Sequence, residues 1–262
     1  MTGGEDDLLF ERNGRVATIT LNRPHRRNAL AGGMSERLYH HLVELSQDTD
    51  LAAVVLRGAG VDFCAGMDMV PSGEGSTPRD PFARDQRRYN IPLLLHTMPA
   101  VTIAAIRGAC AGAGFGWACG CDMRIADPSG KFNTAFLAVG VAGDMGGAWS
   151  LSRIVGGARA RDLYFFPRRF MAQEAFDIGL VQRLFTPEEF EDRLGEMTAR
   201  LGRAAPLALA GMKANFLEAE RVDFASYMAI ETNRHLLLFN TQDRVEAMQA
   251  FVQKRDPNFV GR

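Results

Sequence analysis

The chain has 262 residues, 30 basic and 31 acidic side chains, a net charge of -1, 47% hydrophobic residues and 23% charged ones. That balance describes a globular protein long enough to bury its own core and excludes a disordered or fibrous chain. It also provides no bulk attraction for nucleic acid or for a membrane surface, so neither is expected as a partner.

The first residues, "MTGGEDDLLF", are acidic where a secretory leader would be basic and then apolar, so a reducing, cytoplasmic setting is expected. "LLFERNGRVATITLN" alternates apolar and polar residues around Asn13-Gly14, which suits the two positive-φ positions of a type I′ turn and predicts a hairpin. After the loop "RPHRRNALAGG", residues 34–47 place Met34, Leu38, His41, Leu42 and Leu45 on one helical face. A strand is expected over 52–58, followed by the glycine turn "DFCAGMD" at 62–68. Residues 70–81, "VPSGEGSTPRDP", carry enough turn formers to predict a mobile loop.

"AVTIAAIRG" (100–108) and "DMRIAD" (122–127) read as further strands, with the small-residue run "GACAGAGFGWACGCD" between them entering an apolar helix. Pro99, Arg107 and the glycines make this region a poor membrane span. Cys64, Cys110, Cys119 and Cys121 lack a second spaced Cys or His pair for a tetrahedral zinc site, so they read as small buried hydrophobes and no metal is expected. From Gly146 the pattern is helical, over 146–154, 158–166, 172–178, 187–203, 206–219 and 223–252, the last broken near Asn240. Strands alternating with helices predict an α/β core. A soft boundary near residue 200 separates a core over 1–200 from a helical region over 201–262, with no Pro-, Gly- or Ser-rich linker to mark it.

The two glycine turns each follow a strand, and the second opens a helix. Neither a dinucleotide fingerprint nor a P-loop is present. What remains is a pair of backbones whose free N–H groups could hold one negatively charged oxygen.

Taken together, "TLNRPHRRNAL", "FCAGMDM", "PAVTIAAIRGACAGAGFG", "CDMRIAD", "WSLSRIVG" and "AFVQKRDPNF" resemble the crotonase superfamily, also called the enoyl-CoA hydratase/isomerase family. The resemblance implies a core of repeated ββα turns and a helical C-terminal region that builds a homotrimer or a dimer of trimers. It also implies an acyl-CoA thioester substrate, with coenzyme A as part of that substrate and no separate cofactor. By motif, the N–H groups of Met67 and Ala113 would form an oxyanion hole, with Ala113 in place of the usual glycine. Arg23, Arg26 and Arg27 would face the CoA phosphates, while Ala29 and Ala65 would offer backbone contacts to adenine and pantetheine. Phe251 and Lys254 would complete the CoA site from the C-terminal helix. Asp68 is expected as a turn residue beside the CoA site, and Trp149, Tyr89 and Met69 as acyl-pocket candidates.

The two glutamates that hydratases of this family use are absent, with Gly116 and Phe136 at the matching positions. Asp144, between two glycines, resembles in position an aspartate that the family's dienoyl-CoA isomerases use as a proton carrier and its 4-chlorobenzoyl-CoA dehalogenases as a nucleophile, so the resemblance implies it as the proton carrier, and Phe136 matches an aromatic position of those dehalogenases. The same aspartate also suits a helix N-cap, and a carboxylate bonded to helix N–H groups would be a poorer base. Double-bond isomerisation needs only one carboxylate and fits this residue supply best. Hydration by an atypical site, hydrolysis, C–C cleavage and a noncatalytic acyl-CoA-binding scaffold are the alternatives.

Overall fold

A computed structural model describes residues 7–31, 33–68 and 86–262. The chain opens with β1 (Leu8–Asn13) and β2 (Val16–Leu21) as an antiparallel hairpin. Asn13 pairs with Val16, which leaves Gly14-Arg15 as the two-residue turn. Gly14 has φ 55 whereas Asn13 stays in the strand, so the turn lies one residue later than the Asn13-Gly14 pattern predicts. Glycine therefore takes the first central position, where a II′-type turn needs positive φ.

Four strands continue this sheet in parallel: β3 (Ala53–Gly58), β4 (Val101–Ile106), β6 (Met123–Ala126) and β9 (Arg183–Leu184), in the order β1-β2-β3-β4-β6-β9. A smaller sheet joins β5 (Ala109–Ala111), β7 (Lys131–Asn133) and β8 (Phe170–Met171). Thus β4-β5 and β6-β7 each give one strand to each sheet before the chain turns into helix. This is the repeated ββα plan.

Both faces of the central strands β3, β4 and β6 are covered, which is why they are nearly all apolar, whereas edge strand β1 is exposed after Leu8 and carries Glu11 and Arg12. Val54, Leu56, Ala104 and Ile106 point into the main core, with α1 (Met34–Ser46), α2 (Ile91–Thr97) and α3 (Ala113–Gly120) against it. Val55, Ile103, Ala105 and Ile125 point the other way, onto Phe190 and Leu194 of α7 (Phe190–Gly202). The alternation within one strand decides which residue meets which layer.

Three helices precede α7 in the chain, namely α4 (Gly147–Val155), α5 (Gly157–Phe165) and α6 (Ala172–Asp177). The C-terminal region is α8 (Pro206–Ala219), α9 (Phe224–Phe239) and α10 (Gln242–Gln253). The break near Asn240 is real: Thr241 caps α10 by accepting from the Arg244 N–H. Helix α9 buries none of its residues within the chain. Helix α8 is anchored by Lys213, whose buried Nζ donates to Ala100 O at 2.8 Å, Leu95 O at 3.2 Å and the Asp122 carboxylate at 2.7 Å.

Candidate active site

The two glycine turns meet. Cys64 and Cys110 bridge in parallel, with Cys64 N–H donating to Ala109 O at 2.8 Å and Ala111 N–H to Cys64 O at 2.9 Å. Two residues further on, Gly66 (φ 91) and Gly112 (φ 53) stand so close that a Cβ on Gly66 would lie 3.0 Å from Ala111 O and 3.5 Å from Gly112 Cα. Left-handed backbone and missing space together demand glycine at Gly66. The next residue on each side is Met67 and Ala113. Among the described residues, neither the Met67 N–H nor the Ala113 N–H donates a hydrogen bond to another group. Ala113 is the first residue of α3, so its N–H is one of the helix's unsatisfied donors and sits at the positive end of the dipole.

Helix α3 is buried along its whole length, and its small residues are a packing requirement as well. A Cβ on Gly114 would lie 2.5 Å from Cys64 Cβ, and one on Gly120 would lie 2.8 Å from Pro92 Cα. At Gly116 it would lie 2.6 Å from Cβ of Met145, a buried residue held at φ 54. Met145 thus fills the space into which a side chain at position 116 would grow. Phe136, buried at the other vacated glutamate position, stacks on Tyr164 with ring centroids 6.2 Å apart.

Asp144 sits in the turn before α4. It does not cap that helix: the N-cap is Gly146, no side chain bonds there, and Asp144 only accepts the Gly147 N–H at its backbone carbonyl. Asp144 Oδ1 is buried and has no hydrogen-bond partner. Burial raises its carboxyl pKa from the ordinary 3.8, partly offset by the Arg88 guanidinium. Arg88 itself is tied to Glu36 at 2.7 Å. The Tyr164 hydroxyl, also buried and without a partner, lies over the same turn: a Cβ on Gly147 would be 2.1 Å from it. Tyr164 and Met145 were not singled out by sequence reasoning. The glycines on either side of Asp144 were the available signal, since they mark where other side chains press in.

The expected CoA residues are only partly assembled. Arg23 donates to Ala29 O and lies 3.2 Å from Asp68, and Arg26 meets both Asp68 oxygens, at 2.7 and 3.2 Å. Asp68 therefore ties the arginine loop to the Gly66-Met67 turn. Arg27, at φ 54, is the more exposed cation, 3.4 Å from Asp62. Ala65 donates its N–H to Arg27 O at 3.0 Å, and Ala29 donates its N–H to Arg26 O and accepts from Arg23 at its carbonyl; among the described residues no group donates to the Ala65 carbonyl. Asn28, fully buried, was missed: its amide donates to Ala59 O and Asp62 O and accepts the Arg23 N–H, fixing the loop. Phe251, 85% exposed, and Lys254 end α10, and no hydrogen bond, ion pair or ring contact joins them to the arginine loop among the described residues.

Trp149 departs from its expected place. It is edge-on to His96, with Arg153 3.8 Å over its ring, and lines a cavity of about 530 Å³ with Cys119, Lys213, Phe216 and Glu220. Another cavity, of about 670 Å³, lies among α8, α9 and α10. Neither is lined by Met67, Ala113 or Asp144, and in the first of them His96 pairs with Glu220 and Lys213 with Asp122, while Arg124 and Arg153 donate to backbone carbonyls. Tyr89 is half-exposed beside Arg88, while Met69 and the loop over 70–81 lie outside the described residues.

The four cysteines are buried, and burial pushes the thiols of Cys64, Cys119 and Cys121 up to about 12. Among the described residues no group of three or more His, Cys, Asp or Glu could hold a metal, and no helix is long and apolar enough to cross a membrane.

The sequence model of a family described as enoyl-CoA hydratase/isomerase matches residues 11–262. The 1,2-epoxyphenylacetyl-CoA isomerase of Escherichia coli is 32% identical over 94% of this chain and 95% of its own length. The 4-chlorobenzoyl coenzyme A dehalogenase-1 of an Arthrobacter species is 33% identical over 83% of this chain and 79% of its own. The crystal structure of an enoyl-CoA hydratase from Bacillus anthracis superposes with a TM-score of 0.86 at 27% identity, covering 98% of this chain and all of that one. Proteins named for three different reactions stand at similar distance, so overall likeness does not select among them.

Proposed function

The chain belongs to the enoyl-CoA hydratase/isomerase family, and from that premise we propose that it moves a proton along the acyl chain of a CoA thioester, with Asp144 as the carrier. The Met67 and Ala113 N–H groups bind the thioester carbonyl oxygen. When the Asp144 carboxylate removes a proton from carbon, the charge flows to that oxygen, and the two prearranged donors stabilise the enolate. Protonated Asp144 then returns the proton to another carbon, shifting the double bond with no net change in atoms. The observation that carries this reading is the buried, unpartnered Asp144 oxygen with its raised pKa. The spaces at Gly116 and Phe136, occupied by Met145 and by an aromatic stack, count against hydration by two glutamates.

The exposed apolar faces of α8, α9 and α10 favour assembly into a homotrimer or a dimer of trimers. In such an assembly Phe251 and Lys254 of one copy meet the CoA held by the arginine loop of another. The core over 1–200 then carries the chemistry and 201–262 the assembly. Transfer of deuterium from solvent to the carbon beside the thioester of crotonyl-CoA or butyryl-CoA, followed by mass spectrometry, tests the central claim. Exchange is expected in the wild type and a loss of about 100-fold or more in Asp144→Asn. Exchange unchanged by that substitution rules Asp144 out.

A further inference from the structure

Resting on the acyl-CoA reading, we propose that Tyr164 is a second substrate-facing group, and that its hydroxyl and the Asp144 carboxylate together hold one hydroxyl oxygen at the reacting end of the acyl chain.

The Tyr164 ring spans the turn that carries Asp144. Its Cε1 would be 3.3 Å from a Cβ on Gly143, and its hydroxyl 2.1 Å from a Cβ on Gly147. Gly147 donates its N–H back to Asp144 O at 3.2 Å, so the hydroxyl packs against the turn that carries the carboxylate. Both Tyr164 Oη and Asp144 Oδ1 are shut off from solvent, and neither bonds to the other nor to anything else. Buried polar groups without partners are rare, and two at one turn, close enough for Asp144 to act on the phenol electrostatically, invite a shared ligand. Burial pushes the phenol pKa up, with smaller contributions from Cys119 and Asp144, so Tyr164 remains an O–H donor. Asp144 offers an acceptor. A donor and an acceptor beside one position are matched together by an oxygen that both accepts and donates, which is a hydroxyl.

That hydroxyl has two sources: the acyl group itself, as in a 3-hydroxyacyl ester, or a water molecule that adds across an enoyl double bond with its oxygen on C3 and its proton on C2. Titration calorimetry of the wild type, Tyr164→Phe and Gly147→Ala with butyryl-CoA and 3-hydroxybutyryl-CoA tests the first. Tyr164→Phe is expected to weaken the hydroxy ester about tenfold, the scale of one hydrogen bond, and to leave butyryl-CoA within about twofold. Gly147→Ala should do the same by displacing the hydroxyl. Crotonyl-CoA in ¹⁸O-labelled water tests the second, with label in the 3-hydroxy product and about tenfold less of it in Tyr164→Phe.

Tyr164→Phe keeps the ring stacked on Phe136 and loses only an unpaired hydroxyl, so its melting temperature should not fall. A Tyr164 effect in either arm supports the pair. Binding of both esters with no dependence on Tyr164 or Gly147, and no Tyr164-dependent labelling, overturns the pair while leaving the acyl-CoA reading intact. Failure of the wild type to bind either ester removes both.

Discussion

Asp144 carries its carboxylate in a setting that the fold itself disfavours. Its folded pKa lies above the ordinary 3.8, so the stability tied to its protonated form is present below 3.8 and is lost as pH rises through the folded value. Asp144→Asn should therefore melt higher than the wild type near pH 7 by calorimetry, and the gap should close below pH 3.8. The same substitution should abolish the deuterium exchange, separating stability from activity at one residue. Exchange by the wild type should rise with pH around a midpoint above 3.8, since the ionised form is the base. A complementary test removes a donor: Ala113→Pro deletes one N–H at the first residue of α3, where proline is tolerated. Exchange should fall by about 100-fold or more, with circular dichroism unchanged.

At the scale of elements, α3 and the turn before α4 are fitted to each other through a missing side chain. Gly116→Ala should destabilise the protein by about 1–3 kcal/mol in urea unfolding, because its Cβ would meet Met145 at 2.6 Å. Met145→Gly in the same chain should recover part of that loss and show non-additive coupling, since the two positions share one space. Helix α8 depends on a different device. Lys213→Ala would leave the Asp122 carboxylate and two carbonyls without their cation and should lower stability by about 3 kcal/mol, read from the same denaturation. These contacts explain why a lysine stands in the apolar run "ALAGMKANFL", a signal that was visible before any coordinates.

At the scale of the whole molecule, α9 lacks buried residues and Phe216 and Leu237 are each 75% exposed. Such a surface is costly for a monomer in water. Light scattering should give three or six times the 28.7 kDa chain mass, and Phe216→Asp with Leu237→Asp should shift it towards one chain. If Phe251 and Lys254 act across that assembly, the same double variant should also raise KM for the CoA ester.

The hairpin, the helix begun by Met34, the core strands and the C-terminal helices could all be read from period and punctuation, because hydrophobic spacing and turn residues act locally, while the parallel pairing of those strands came from the fold. The motifs also carried the family, since several short segments in a fixed order are far more specific than any one of them. Even so, the hairpin turn slipped by one residue, and the two-residue strands β8 and β9 were too short for any periodicity. What side chains do to each other across the fold was settled only in three dimensions. Asp144 is a bare carboxylate and not a cap, Asp68 is a clamp on two arginines, and Trp149 faces α8. The physical reason is that burial and hydrogen-bond partnership depend on residues distant in the chain, and these decide whether the same aspartate caps a helix or stands as a buried carboxylate oxygen without a partner.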